Sequence, residues 1–446
     1  MKINKAWIGV AAATALLVAG CSSSPTSTEA TSADSSAAAA ASSAAPGEAA
    51  VAGAEAAGGA CEPVNLAIVA AKTGLLGLFD VASGQAFTMA IDEINAAGGV
   101  CGEPIKYSWI DTKSDPALTK QIAEKAAADG ANLIVGSCDF DFSAPALTVA
   151  QANGLAALSL CGEDPKLADK TTIGDLALTP SPGNQFNGSA AAEWAFDQKG
   201  WRNAYILQDD LLEYNKSLAR YFKGRWEEMG GTVVGEDVYT GNEQLDPSAN
   251  VSRLRDGAAS ADVIVLPSLV PAATAMIKAI RDAGIETPIF MPGSATDGVL
   301  VTESLPDISN FYSVPFACMP PACTGDPNPA IQKFSDAFKE KFGEEPILTY
   351  PVLSYELGKA LGAAIQQAGA TDGASIMKAF ETLPPTDYLT GPIAWSETCH
   401  ATIGRQLRVT EYQNGKGTFA GLITPSKIAS VDSTNNPCEA AQSSAG

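Results

Sequence analysis

The chain has 446 residues, of which 46% are hydrophobic and 17% charged, so it is long enough for two domains and apolar enough to bury a core in each. This composition excludes a largely disordered or fibrous chain. The 28 Lys and Arg against 50 Asp and Glu give a formal net charge of −22, which repels phosphate backbones and makes nucleic acid an unexpected partner. A single histidine, His400, leaves little for histidine-based catalysis or multi-histidine metal sites, and we expect neither a metal nor a cofactor.

The N-terminus has the pattern of an export signal. Lys2 and Lys5 precede an apolar run, residues 6–20, that is too short to span a membrane. The residues ending at Cys21 (VAGC) resemble the lipobox of bacterial lipoproteins, in which cleavage leaves the cysteine as a lipidated N-terminus. The alternative is an ordinary signal peptide with a chance cysteine, but the small residues before Cys21 and the serines after it favour lipidation. We therefore expect an exported protein, anchored through lipid alone at the outer face of the cytoplasmic membrane.

A low-complexity segment follows the signal peptide. Residues 22–60 consist almost entirely of Ala, Ser, Gly, Thr and Glu, a composition with too few bulky apolar side chains to form a core. The sequence thus predicts a signal peptide at residues 1–20 and a lipidated, disordered tether at residues 21–60.

The cysteines predict disulfides. Of nine cysteines, eight remain if Cys21 is lipidated, an even number that suits an oxidising compartment. Many pairings of eight cysteines are conceivable, and free buried cysteines are the alternative. Positions relative to the predicted strands, and then elimination, favour Cys61 with Cys101, Cys138 with Cys161, Cys318 with Cys323, and Cys399 with Cys438.

From residue 64 onward, short apolar runs alternate with amphipathic stretches, which is the pattern of βαβ units around parallel sheets. Strands are predicted at residues 65–70, 105–110, 132–136, 156–160, 203–208, 261–267 and 288–293. Helices are predicted at residues 84–99, 116–130, 215–231 and 271–284. The fold class is therefore α/β, with two Rossmann-like lobes.

Proline-rich or glycine-rich junctions interrupt this pattern near residues 179–183, 312–315 and 389–392. Three junctions predict a chain that crosses three times between two lobes, at segments that can act as hinges. Lobe 1 would comprise residues 61–180 and 315–388, lobe 2 residues 181–314 and 389–438, and a tail residues 439–446. A ligand cleft is expected between the lobes, at the carboxyl ends of the strands.

A set of segments occurs here in the order typical of one family: residues 67–80, 84–105, 111–137, 143–159, 164–169, 205–222 and 270–293. Over about residues 64–420 the chain resembles bacterial solute-binding lipoproteins of the branched-chain amino-acid type, which are periplasmic binding proteins of fold type I serving ABC importers. The resemblance implies closure of two lobes over a small solute, delivery of that solute to an ABC permease, and a monomeric protein.

The sequence also yields a set of candidate ligand-binding residues, most of them implied by the resemblance. These candidates are Phe79, Asp139, Phe140, Asp141, Cys161, Glu163, Tyr214, Leu269 and Ser294. Phe140 and Glu163 fall where amino-acid binders hold the ligand carboxylate with Ser and Thr, and Ser294 falls where they place an acid for the ligand ammonium. An α-amino acid would therefore meet an acid where its carboxylate should lie, and no acid for its ammonium.

The three acidic candidates suggest another ligand chemistry. Asp139, Asp141 and Glu163 would concentrate negative charge beside the aromatic candidates, and such a box attracts a cationic or amide-rich small solute. The alternatives are that both aspartates are helix N-caps, that Glu163 faces solvent and that Phe140 belongs to the core. The expected ligand is an amino-acid-like, amine or amide solute.

Motifs for catalysis are missing from the sequence: it contains no G-x-S-x-G, no H-E-x-x-H and no phosphate-binding loop of the G-x-x-x-x-G-K-[ST] type. We therefore expect a binding protein and no enzyme, although a hydrolase that uses only carboxylates stays open because it needs just two acids. A surface lipoprotein that senses a ligand and signals to a membrane partner would use the same lobe closure, and the sequence does not separate it from a transport protein.

Overall fold

The computed structural model describes residues 62–295, 298–431 and 438–443. The predicted signal peptide, the tether, Cys21 and Cys61 all lie outside these residues. All of the described residues belong to one compact unit. Within the described ranges, no helix combines the length and the apolar character needed to cross a membrane.

The first lobe is built on a five-stranded parallel sheet with the strand order β2-β1-β3-β4-β5. Its strands are β1 (Asn65–Ala70), β2 (Lys106–Asp111), β3 (Leu133–Gly136), β4 (Ala156–Ser159) and β5 (Ala177–Leu178). The three central strands are almost completely buried, as expected for strands covered by helices on both faces. Helices α1 (Gly77–Ala96), α2 (Pro116–Ala128) and α3 (Phe140–Ala152) connect them.

The second lobe contains an eight-stranded sheet with the order β11-β16-β15-β10-β9-β8-β6-β7. Its strands are β6 (Asn203–Asp209), β7 (Thr232–Tyr239), β8 (Val263–Val265), β9 (Ile289–Met291), β10 (Phe311–Ser313), β11 (Cys323–Thr324), β15 (Leu407–Gln413) and β16 (Lys416–Ile423). Strands β6 to β10 are parallel, whereas β15 is antiparallel to both β10 and β16. A separate antiparallel sheet contains β12 (Thr386–Tyr388), β13 (Gly391–Ser396) and β14 (Cys399–Ile403).

The remaining helices follow in chain order. They are α4 (Asn184–Gln198), α5 (Glu213–Glu228), α6 (Ser248–Ala258), α7 (Ala272–Asp282), α8 (Val299–Ser304), α9 (Pro329–Phe342), α10 (Tyr350–Ala368), α11 (Gly373–Thr382) and α12 (Cys438–Ser443). Helix α10 packs along α1 of the first lobe, where a Cβ on Gly358 would lie 2.7 Å from the Cβ of Ala90. The close approach of the two helices therefore depends on this glycine.

The two-lobed α/β architecture predicted from the sequence is confirmed, with differences in individual elements. Helix α1 begins at Gly77, earlier than the predicted start at Gly84. Gly84 lies inside the helix and does not begin it. A glycine is needed there because the ring of Trp109 occupies the space that a Cβ would take. The antiparallel strands after residue 386 are not among the predicted elements, although Asn414-Gly415 between β15 and β16 is a typical hairpin turn.

Disulfides join Cys138 to Cys161, Cys318 to Cys323 and Cys399 to Cys438, the pairs expected from the sequence. The first connects the loops that follow β3 and β4, and the third fixes α12 to β14. Cys101 is also disulfide-bonded, whereas its expected partner Cys61 lies outside the described residues.

Two buried arginines bring the three predicted junctions together. The guanidinium of Arg405 donates hydrogen bonds to the carbonyl of Pro180, at 2.8 Å, and to the hydroxyl of Thr390. Arg408 donates to the Thr390 carbonyl at 3.2 Å through its side chain and to the Pro315 carbonyl at 3.0 Å through its backbone N–H. The three predicted junctions thus meet in one hydrogen-bonded cluster.

Candidate functional site

A cavity lies between the lobes, at the carboxyl ends of strands from both sheets. Its volume is about 20 Å³, which is about enough for one water molecule. The lining residues are Leu76, Phe79, Cys138, Asp139, Leu212, Tyr214, Leu269, Ala295 and Tyr350. Because hydrogen bonds join the two lobes directly, from Ser294 to Glu163 and from the Glu213 N–H to Asp141, this is a closed conformation.

A buried carboxylate shapes the wall formed by the first lobe. Asp80, in the first turn of α1, accepts hydrogen bonds from the backbone N–H groups of Ala71 and Cys138, each at 2.8 Å, and from the hydroxyl of Ser137. Burial raises the pKa of Asp80 to about 6, against the opposing effect of these hydrogen bonds. Asp80 thereby ties the loop after β1 to the loop after β3, and positions Cys138 at the cavity.

Asp139 is the acid that lines the cavity. Its residue is 6% exposed, and its Oδ1 accepts a hydrogen bond from the backbone N–H of Asp141 at 2.9 Å, so it also caps α3. Burial holds the pKa of Asp139 well above its usual range, and the nearby carboxylates of Asp141, Asp164 and Asp80 raise it further. The N-cap alternative from the sequence is thus correct for Asp139, and it coexists with a place in the cavity.

Aromatic side chains line the cavity together with Asp139. The rings of Phe79 and Tyr350 pack edge to face with centroids 6.0 Å apart. The hydroxyl of Tyr214, on α5 of the second lobe, accepts a hydrogen bond from the backbone N–H of Ala295 at 3.4 Å. Since the faces of such rings are electron-rich, the aromatic wall is compatible with a bound cation.

Glu163 lies beside the cavity and does not line it. Its carboxylate accepts hydrogen bonds from Ser294 Oγ, at 2.9 Å, and from Asn187 Nδ2, and the hydroxyl of Tyr350 bonds to it as well. Burial raises the pKa of Glu163 to about 7, against the effect of these donors. The residue is 2% exposed, so the alternative in which Glu163 faces solvent is wrong. Glu163 and Ser294 form a contact between the lobes.

Asp141 forms a second contact between the lobes. Its Oδ2 accepts a hydrogen bond from the backbone N–H of Glu213 at 2.9 Å, so the carboxylate caps α5 of the opposite lobe. The carboxylate of Glu213 in turn lies 2.5 Å from Lys166 Nζ of the first lobe. Phe140 faces Lys166, with Nζ 5.2 Å from its ring centroid.

The structure therefore separates the nine candidate residues into two sets. Four of them line the cavity: Phe79, Asp139, Tyr214 and Leu269. The other five lie outside its lining: Phe140, Asp141, Cys161, Glu163 and Ser294. Cys161 is fully buried and disulfide-bonded to Cys138, and hydrogen bonds direct Asp141, Glu163 and Ser294 to partners in the opposite lobe. Ligand contact by any of the nine stays a prediction.

Sequence reasoning missed several lining residues. Leu212 and Ala295 stand within two positions of candidates, so the neighbouring sequence carried part of the signal. Asp80, which positions the wall without lining the cavity, had a weaker signal, as an acid that ends an apolar segment after a strand. Tyr350 had none, because only the return of the chain to the first lobe brings it beside Phe79. In the part of the chain that the structure describes, no group of three or more His, Cys, Asp or Glu could hold a metal ion.

Comparison with known proteins places this fold in a family. The family model described as periplasmic binding protein matches residues 63–417. The Leu/Ile/Val-binding protein homolog 1 of Brucella melitensis is 27% identical over 313 residues, which cover 69% of this chain and 79% of that protein. The Leu/Ile/Val-binding protein of Escherichia coli is 23% identical over 348 residues, which cover 75% of this chain and 87% of that protein.

Solved structures share the same fold. The branched-chain amino acid transporter substrate binding protein of Streptococcus pneumoniae, in complex with isoleucine, has a TM-score of 0.70 and 20% identity, covering 81% of this chain and 99% of that one. An ABC transporter solute binding protein of R. palustris, in complex with benzoate, has a TM-score of 0.69 and 15% identity, covering 83% and 98%. The family model matches well over half of this chain and confirms the resemblance seen in the sequence. This chain therefore belongs to the periplasmic binding protein family.

Proposed function

We propose that this chain is an extracytoplasmic solute-binding protein, which captures a small polar solute between its lobes and delivers it to an ABC importer. The observation that carries the proposal is the cavity, whose walls come from strand ends of both lobes. A solute in that place gains contacts with both walls only when the lobes close around it, so binding shifts the population towards the closed state.

Contacts between the lobes stabilise the closed state. The hydrogen bonds from Ser294 to Glu163 and from Glu213 to Asp141 form only when the strand ends of the two lobes meet. The buried cluster around Arg405 and Arg408 lies on the crossovers and can persist while the lobes separate. Since the cavity of about 20 Å³ is smaller than an amino acid, a solute enters after the lobes have moved apart.

The partner in this proposal is an ABC permease that recognises the closed form. The names of relatives, a Leu/Ile/Val-binding protein and an ABC transporter solute binding protein, support import as the purpose of closure. We further propose that the solute is amino-acid-like, an amine or an amide, and that it is released unchanged. Export, cleavage before Cys21 and anchoring through lipid on that cysteine belong to the same proposal.

A thermal-shift screen of the chain with amino acids, amines, amides and aromatic acids tests the proposal. A solute bound by the native state alone raises the melting temperature, and small-angle scattering should show a smaller radius of gyration in its presence. Ala295→Leu should abolish the shift by filling the cavity, and Ala128→Leu, at an exposed position of α2, should leave it intact. Consumption of the solute, or unchanged stability and dimensions with every class, would refute the proposal.

A further inference from the structure

We infer that the solute is a compact organic cation with an apolar body and no carboxylate. It is an alkyl amine and not an amino acid, and Asp139 binds its ammonium group. This inference rests on the proposed function and names the ligand class for the same cavity. It departs from the isoleucine and benzoate of the two solved structures, both of which carry a carboxylate.

The charges around the cavity exclude a good site for a ligand carboxylate. Among the described residues, no Lys or Arg lines the cavity, and Asp139 is the one carboxylic acid in its walls. The two lysines close to the outer edge are already paired, since Lys166 and Lys216 lie 2.5 Å and 3.1 Å from the carboxylate oxygens of Glu213. A ligand carboxylate would be desolvated beside Asp139 without a compensating cation.

Three backbone donors near the cavity are also occupied by acids of the protein itself. The N–H of Cys138 donates to Asp80, that of Asp141 donates to Asp139, and that of Glu213 donates to Asp141. These N–H groups stand at helix N-termini and strand ends, the usual places for binding an anion. In this chain three carboxylates hold them, so a ligand anion finds acceptors where it needs donors.

A cation finds the complementary environment. Asp139 accepts a hydrogen bond at Oδ1 from the N–H of Asp141, and a carboxylate has acceptor capacity beyond that one bond to offer to the cavity that it lines. Buried among like charges, the empty site disfavours a charged Asp139, and a bound ammonium would supply the missing positive charge. The rings of Phe79, Tyr214 and Tyr350 and the side chains of Leu76 and Leu269 suit an apolar body attached to that ammonium.

Three probes with the same branched alkyl group separate the possibilities: 3-methylbutylamine carries only the ammonium, 4-methylpentanoate only the carboxylate, and leucine both. In calorimetric titrations of the full chain, we expect the amine to bind roughly 100-fold more tightly than leucine, and the acid to give no measurable binding. Tighter binding of leucine or of the acid would overturn the ligand class and leave the proposed function standing. Absence of binding by the amine would overturn the ligand class, and only failure of every solute in the wider screen would overturn the function as well.

A matched pair of substitutions tests the residue. Asp139→Asn removes the charge but keeps a good N-cap for α3, so the fold should survive. The affinity for the amine should fall about 10-fold to 100-fold, as expected for loss of a hydrogen bond to a charged group. Asp115→Asn makes the same change at the N-cap of α2, away from the cavity, and should bind like the wild type. Equal amine affinities of the two variants, each with a cooperative unfolding transition, would overturn the assignment of Asp139.

Discussion

Substitution of Glu163 by Gln should show how much a carboxylate buried between the lobes lowers the free energy of unfolding. Glu163 accepts hydrogen bonds from Ser294 and Asn187, and its burial outweighs them, so its pKa rises from 4.5 to about 7. Gln has nearly the same shape and no charge. Its amide N–H groups have an acceptor available, because Asn187 Oδ1 has no hydrogen-bond partner and a flip of that amide brings it into place.

The expected magnitude follows from proton linkage. At about 1.4 kcal/mol for each pKa unit, the rise from 4.5 to about 7 corresponds to roughly 3 kcal/mol of unfolding free energy. Because the pKa is higher in the folded state than in the unfolded state, this contribution is fully present below pH 4.5 and is lost as the pH rises through 7. The wild type should therefore lose about 3 kcal/mol between pH 4.5 and pH 8 that Glu163→Gln does not lose.

Urea unfolding followed by tryptophan fluorescence at several pH values between 4.5 and 8 measures this difference. The stability of Glu163→Gln relative to the wild type should increase with pH. Asp80, whose pKa is also raised, is present in both proteins and cancels in the difference. Glu236→Gln, at a side chain that is 51% exposed and lies outside the cavity lining, serves as the control for removal of one carboxylate. A difference between Glu163→Gln and the wild type that stays constant over this range would refute the reasoning.

Three further predictions concern the crossovers and the C-terminal segment. Arg405→Met should lower the free energy of unfolding, measured with urea, by about 3–5 kcal/mol, because it leaves the fully buried carboxylate of Glu356 unpaired. Adding Glu356→Leu should recover much of this loss, and no recovery would contradict the pairing. Replacing both Cys399 and Cys438 by Ser opens a loop with a sequence separation of 39 and should lower the stability by about 4 kcal/mol, and this difference from the wild type should disappear when both proteins are reduced. Burial lowers the pKa of His400, so the stability of the wild type relative to a His400→Gln variant should fall as the pH drops below 6.5, and a difference that stays constant with pH would contradict this.

Much of the first lobe could be predicted from the sequence because its signals are local. Buried parallel strands such as β1 and β3 are continuous apolar runs, and amphipathic helices such as α2 have a fixed period, so both are readable within a short window. The pairing of Cys138 with Cys161 followed from two neighbouring strands that end at the same edge of a sheet. The placement of Asp139 at the N-terminus of α3 was likewise a local matter, since capping depends on the residues of one turn.

The tertiary structure alone decided which of these residues meet in the cleft. Tyr350 reaches Phe79 only because α10 returns to α1, and nothing in its own segment of sequence indicates that contact. Glu163 and Asp141, expected at the ligand, instead bond across the cleft to Ser294 and to the backbone of Glu213. The physical reason is that secondary structure and caps depend on neighbours along the chain, whereas the direction of a buried carboxylate depends on which donors the folded lobes bring to it.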